Sequence, residues 1–175
     1  MEKPQSFTFS VYTENNLGLL NRISQIFLKR HINVESINAS ESEIENVHRL
    51  TIVVEITEAQ AIKVAKQIDK QIEVIKAFYH REDETIYRET ALYKMPINCL
   101  YDGGRVQELI SDTYASIVNV SKDYFVIEKT GKKAETTRLY NELRPFGLMQ
   151  FLRSGRISVT KEVMDISSEL TKLVS

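Results

Sequence analysis

Cysteine and histidine are scarce in this 175-residue chain, and their scarcity removes several chemistries at once. Cys99 stands alone, so no internal disulfide can form, and a reducing compartment, the cytoplasm, is expected. A small buried or half-buried thiol is the reading for Cys99, since no histidine is placed near it by the sequence. His31, His48 and His80 lie at no metal-ligand spacing to each other or to an acid cluster. No stretch approaches the roughly 20 apolar residues that span a bilayer. The polar start, Met1 to Gln5, lacks the apolar core of a signal peptide. Charge of one sign is lacking too: 23 lysines and arginines face 24 acids, with no long run of either. Composition therefore offers nothing to nucleic-acid binding. There is no G-x-S-x-G, H-E-x-x-H, P-loop or dinucleotide fingerprint. Asp102-Gly103-Gly104 is too short to cradle a phosphate and reads as a helix entry. No catalytic residue and no metal ligand is predicted.

What is present is periodicity. Phe7, Phe9 and Val11 alternate with Ser6, Thr8, Ser10 and Tyr12, a half-buried strand. After a polar turn ending at Gly18, residues Leu19, Leu20, Ile23, Ile26 and Phe27 fall at helical spacing, and the helix runs to about Arg30. Residues 33–39 read as a strand, 40–46 as a loop, and Leu50, Ile52, Val54 and Ile56 as a third strand. Thr57 with Gln60 forms a capping box before a helix whose buried stripe is Ile62, Ala65 and Ile68. Residues 73–79 give a fourth strand. The order is βαββαβ.

The pattern recurs without residue-level identity. A strand is expected over 86–95, with Ala91, Tyr93 and Met95 on one face, and a helix over 102–114. A hairpin follows over 116–121 and 124–130, then a helix over 132–143 stopped by Pro145, then a strand over 148–153. The fold class is α+β: two ferredoxin-like βαββαβ units over residues 1–80 and 86–155, joined by a charged linker. Open sheet edges predict self-association. In the tail, 156–175, Val159, Val163, Ile166, Leu170 and Leu173 suit a helix, packed on the second unit or docked on a partner.

The chemically informative segment is Glu14-Asn15-Asn16-Leu17-Gly18-Leu19-Leu20. A helix start offers free N–H groups and partial positive charge to a carboxylate. Gly18 lets a ligand approach the backbone, and Asn15 can both donate and accept. The same residues also suit an ordinary turn with an Asx cap.

Asn15-x-x-Gly18-x-Leu20 after a strand resembles the ligand loop of ACT domains, the amino-acid-sensing modules of metabolic enzymes. The match continues through Arg22-Ile23-x-x-x-Phe27, Asn33-Val34-Glu35-Ser36-Ile37 and Arg49-Leu50-Thr51-Ile52. Together with Arg153-Ser154-Gly155, this resembles the small, regulatory subunit of acetolactate synthase (acetohydroxyacid synthase). The resemblance implies an ACT domain followed by a second ferredoxin-like domain. It implies a non-catalytic chain that activates a catalytic large subunit and confers feedback inhibition by branched-chain amino acids, usually valine. Thiamine diphosphate, magnesium and FAD would belong to that large subunit, with no cofactor on this chain. The effector would sit between the ACT domains of a homodimer, in contact with Asn15, Gly18, Leu19, Asn33 and Val34. Asn33 could instead simply start its strand and bond the helix end. Two departures stand out: His31 where the family has glycine at the helix exit, and Leu19 where a smaller residue is common. A stand-alone ACT-domain regulator of gene expression is the alternative.

Overall fold

The computed structural model describes residues 3–14, 16, 18–101 and 103–174, with Val174 described by its backbone. Two compact units emerge. One takes the chain up to Ile86 and resumes at Arg156; the other is Tyr87–Gly155.

The first unit contains β1 (Gln5–Glu14), α1 (Leu19–Leu28), β2 (Val34–Glu41), β3 (Val47–Ile56), α2 (Glu58–Ile68) and β4 (Val74–Arg81). Its antiparallel sheet has the order β2-β3-β1-β4. Phe7, Phe9 and Val11 point toward the helices and join Ile23, Phe27, Ile52, Val54, Val64 and Ile68 in one core. Phe9 meets Phe27 edge-on, with ring centroids 5.8 Å apart. The capping box holds α2: Gln60 N–H donates to Thr57 Oγ1, and Thr57 N–H donates to Gln60 Oε1 at 3.0 Å.

His31 resolves its own departure. It takes the left-handed conformation, φ 54°, that glycine would supply. His31 N–H donates to Leu28 O and Ile32 N–H to Phe27 O, both at 3.0 Å. These are the paired bonds of a Schellman ending, and Ile32 is buried with Phe27 as that motif favours.

The second unit repeats the plan with β5 (Thr85–Pro96), α3 (Arg105–Asp112), β6 (Ser116–Val120), β7 (Tyr124–Gly131), α4 (Lys133–Leu143) and β8 (Gln150–Arg153), in sheet order β6-β7-β5-β8. Each unit is thus a ferredoxin-like antiparallel sheet carrying helices. Ala91, Tyr93 and Met95 are wholly buried with Phe125, Ile127, Leu139 and Leu143. Tyr93 donates to Thr136 O at 2.7 Å, and burial pushes its phenol up to about 12, against the opposing pull of Arg153. Cys99 is buried, its thiol 2.9 Å from Phe146 O. The predicted start of α3 at Asp102 lies outside the described residues, and the helix proper begins after Gly104.

The tail departs from expectation. It packs on the first unit, not the second, and only its end is helical. Arg156 leads into β9 (Ile157–Thr160), and α5 (Ile166–Val174) follows. Leu170, fully buried, meets Tyr12 and Val47 on the sheet face opposite the helices. This is why Thr8, Ser10 and Tyr12, expected to face water, are at most 9% exposed. Val159 and Val163 are exposed, so the helical spacing counted from them was coincidental. Among the described residues no helix is long and apolar enough to cross a membrane.

Candidate functional site

β1 ends at Glu14, whose N–H donates to Glu73 O at 3.0 Å, and the chain turns into α1 through Gly18. Gly18 lies at φ 87°, ψ −6°, in the left-handed region. A Cβ built there meets nothing within 4 Å, so the backbone faces open space. No side chain caps this helix start. Arg22 N–H closes the first helical turn on Gly18 O at 3.2 Å, and Leu19 N–H reaches Asn16 O only at 3.4 Å. The helix start therefore keeps weakly engaged donors beside an open glycine, which suits a carboxylate.

The other predicted contact residues divide. Asn15 lies outside the described residues, as does Leu17. Leu19 turns its side chain into the core, 5% exposed, leaving only its backbone for a ligand. A bulkier residue at position 19 thus fills the core and does not narrow the loop. Asn33 is exposed. Val34 packs against the core.

Register separates these residues within one chain. Glu14, just before the loop, is opposite Val47, whereas Val34 is opposite Val54, which in turn faces Phe7. Seven strand residues at about 3.3 Å each put roughly 23 Å between the two ends of the sheet. Gly18 and Asn33 consequently sit at opposite ends of the same domain.

Sequence reasoning missed a brace beneath the loop. Arg22 on α1 forms a very short ion pair with Glu73, which is 9% exposed and leads into β4. The pair ties the helix to the same segment that receives Glu14 N–H. Arg22 stood in the quoted motif, but nothing in the sequence linked it to position 73. Among the described residues there is no group of three or more potential metal ligands.

Known proteins agree with this arrangement over most of the chain. The family described as AHAS small subunit-like ACT domain matches residues 9–76, and that described as small subunit of acetolactate synthase matches residues 88–162. The acetolactate synthase small subunit of Mycolicibacterium smegmatis is 32% identical over 154 residues, covering 88% of this chain and 90% of the relative. The Bacillus subtilis small subunit is 34% identical over 142 residues, covering 81% and 82%. The crystal structure of the Thermotoga maritima small subunit superposes with a TM-score of 0.81 at 24% identity, covering 91% of this chain and 99% of that one; it shares the fold.

Proposed function

The chain belongs to the small-subunit family of acetolactate synthase, and from that premise we propose that it binds the catalytic large subunit, raises its activity and confers feedback inhibition by branched-chain amino acids, chiefly valine. Thiamine diphosphate, magnesium and FAD stay with the large subunit in the cytoplasm, and this chain performs no turnover alone.

The observation that carries the reading is the open, left-handed Gly18 at an uncapped helix start. The effector carboxylate lies against the N–H groups at Gly18 and Leu19, and Asn15 and Asn33 grip the polar atoms that remain. The span between Gly18 and Asn33 supports a site shared between the two chains of a homodimer. β2 is a sheet edge, with Ile37 on it 36% exposed. Pairing two such edges antiparallel about a two-fold axis brings the Asn33 end of one sheet beside the loop end of its copy. Each effector then touches both chains.

Gly18→Asp tests this. A Cβ and a carboxylate would enter the space meant for the ligand, whereas aspartate tolerates left-handed φ better than most residues. The helix-start interaction contributes about 0.3–2 kcal/mol, and coupling between sites is about 1–3 kcal/mol in total. The variant should still stimulate its catalytic subunit but lose most inhibition in a titration with valine, leucine and isoleucine. An inhibition curve that does not move would place the effector elsewhere.

A further inference from the structure

Both flanks of the Gly18 loop are held by one residue, Glu73. β1 and β4 run antiparallel with Tyr12 opposite Lys76, but Thr13 is opposite Val74, so Ile75 is an extra residue on β4. A bulge of this kind re-aims the strand where it stands. Without it Val74 would lie opposite Glu14. With it Glu73 takes that place, and its carbonyl accepts the Glu14 N–H at 3.0 Å. The Glu73 side chain reaches the far flank, where Oε1 accepts from Arg22 Nη1 in a very short, charge-assisted bond. Arg22 N–H in turn closes the first turn of α1 on Gly18 O. The backbone of Glu73 thus fixes the residue before the loop, and its side chain fixes the turn after it.

The pair is lopsided. The Glu73 side chain is 11% exposed, and Oε2 is buried without a hydrogen-bond partner among the described residues, whereas the Arg22 side chain is 52% exposed. A half-exposed guanidinium can return to water if its partner goes; a buried carboxylate left alone is costly. Buried ion pairs contribute little net stability against their desolvation. What this one adds is a fixed direction for the start of α1, the end that keeps weakly engaged donors.

We propose that Glu73 is a positioning residue for effector binding, an inference that rests on the effector reading given above. Through Glu14 and Arg22 it holds the N–H groups of Gly18 and Leu19 aligned for a carboxylate, without touching the effector itself. Donors already aligned bind an anion without the cost of ordering the loop at that moment.

The test uses the full chain, alone and reconstituted with its catalytic large subunit. Glu73→Gln keeps the size of the side chain and the backbone bond to Glu14, and it releases Arg22 to water. Amide exchange at Leu19 and Arg22, measured without effector, should quicken several-fold while exchange at Phe9 in the core of β1 keeps its wild-type rate. In the holoenzyme, the valine concentration for half-inhibition should rise by about fivefold or more, with stimulation at its wild-type level. Arg22→Gln should raise it likewise and should also lower the thermal unfolding midpoint, because it strands the buried carboxylate. Combining the two changes should restore the midpoint but not the inhibition. A pair that served stability alone would restore both together. Three results would overturn the proposal: wild-type exchange at Leu19 and Arg22 in Glu73→Gln; wild-type valine inhibition in that variant; or inhibition that returns with the midpoint in the double variant. A wild-type holoenzyme that ignores valine, leucine and isoleucine would overturn the effector reading instead, and the exchange rates would still decide whether Glu73 holds the loop.

Discussion

At residue scale, His31 and Gly18 occupy the same region of backbone space for different reasons. Gly18 is glycine where the chain turns into α1 at left-handed φ beside open space; His31 is not glycine although the helix exit asks for one. A non-glycine residue held at left-handed φ costs about 1–3 kcal/mol, and glycine's greater freedom in the unfolded chain returns about 0.4–1 of that. His31→Gly is therefore expected to stabilise the first unit by about 1 kcal/mol, read as a higher midpoint in urea unfolding. Both bonds of the helix ending, from His31 and Ile32 N–H, are backbone bonds and survive the change. A lower midpoint would mean that the imidazole makes a contribution that outweighs its strain.

The tail is the element that changes the molecule most. Its nine-residue helix, α5, is too short to persist without packing. Leu170 provides that packing, and Leu170→Ala should cost about 2–4 kcal/mol of docking. A cost on that scale exceeds what a short strap can withstand, so the strap should detach locally with the sheet intact. Hydrogen exchange would then show α5 amides at unprotected rates and β1 amides still protected. Asp165 immediately precedes the same helix, and bonds from Ser168 hold its carboxyl below the usual range. A depressed carboxyl contributes stability that is complete above the ordinary aspartate value, near 3.9, and drains away as pH falls through its lower folded value. Protection of α5 should accordingly decline as the pH falls below about 4, and Ser168→Ala should weaken that dependence.

Local pattern made most elements legible. The alternation of Phe7, Phe9 and Val11 and the capping pair Thr57 and Gln60 depend on neighbours a few residues away, and both stand in the structure as read. The cover on the outer face does not depend on neighbours. Arg156 donates to Thr8 Oγ1 from 148 residues along the chain, a pairing that no periodicity records. Serine and threonine at alternate positions therefore read as solvent-facing when they lie beneath a strap. The candidate site was half legible for the same reason. The loop chemistry at Gly18 is local, whereas the separation of Gly18 from Asn33 follows only from strand register.

That separation sets the prediction for the whole molecule. If each effector is held by the loop of one chain and Asn33 of its copy, damage to the two halves must complement between chains. Gly18→Asp and Asn33→Ala homodimers should each fail to bind valine, because every site in either carries one defect. In a mixed dimer, one site combines both defects and the other combines two intact halves. Random exchange of equal amounts makes about half the dimers mixed, so about a quarter of all sites should recover binding under two-fold symmetry. Recovery is measurable by calorimetric titration with valine after co-refolding or co-expression, with each parent as its own baseline. A site held within a single chain predicts something different: every chain in the mixture still carries its defect, and no binding returns. Absence of recovery, with exchange of subunits verified by mass spectrometry, would therefore rule out the shared site and require Asn33 to act on the effector loop from the far end of its own sheet.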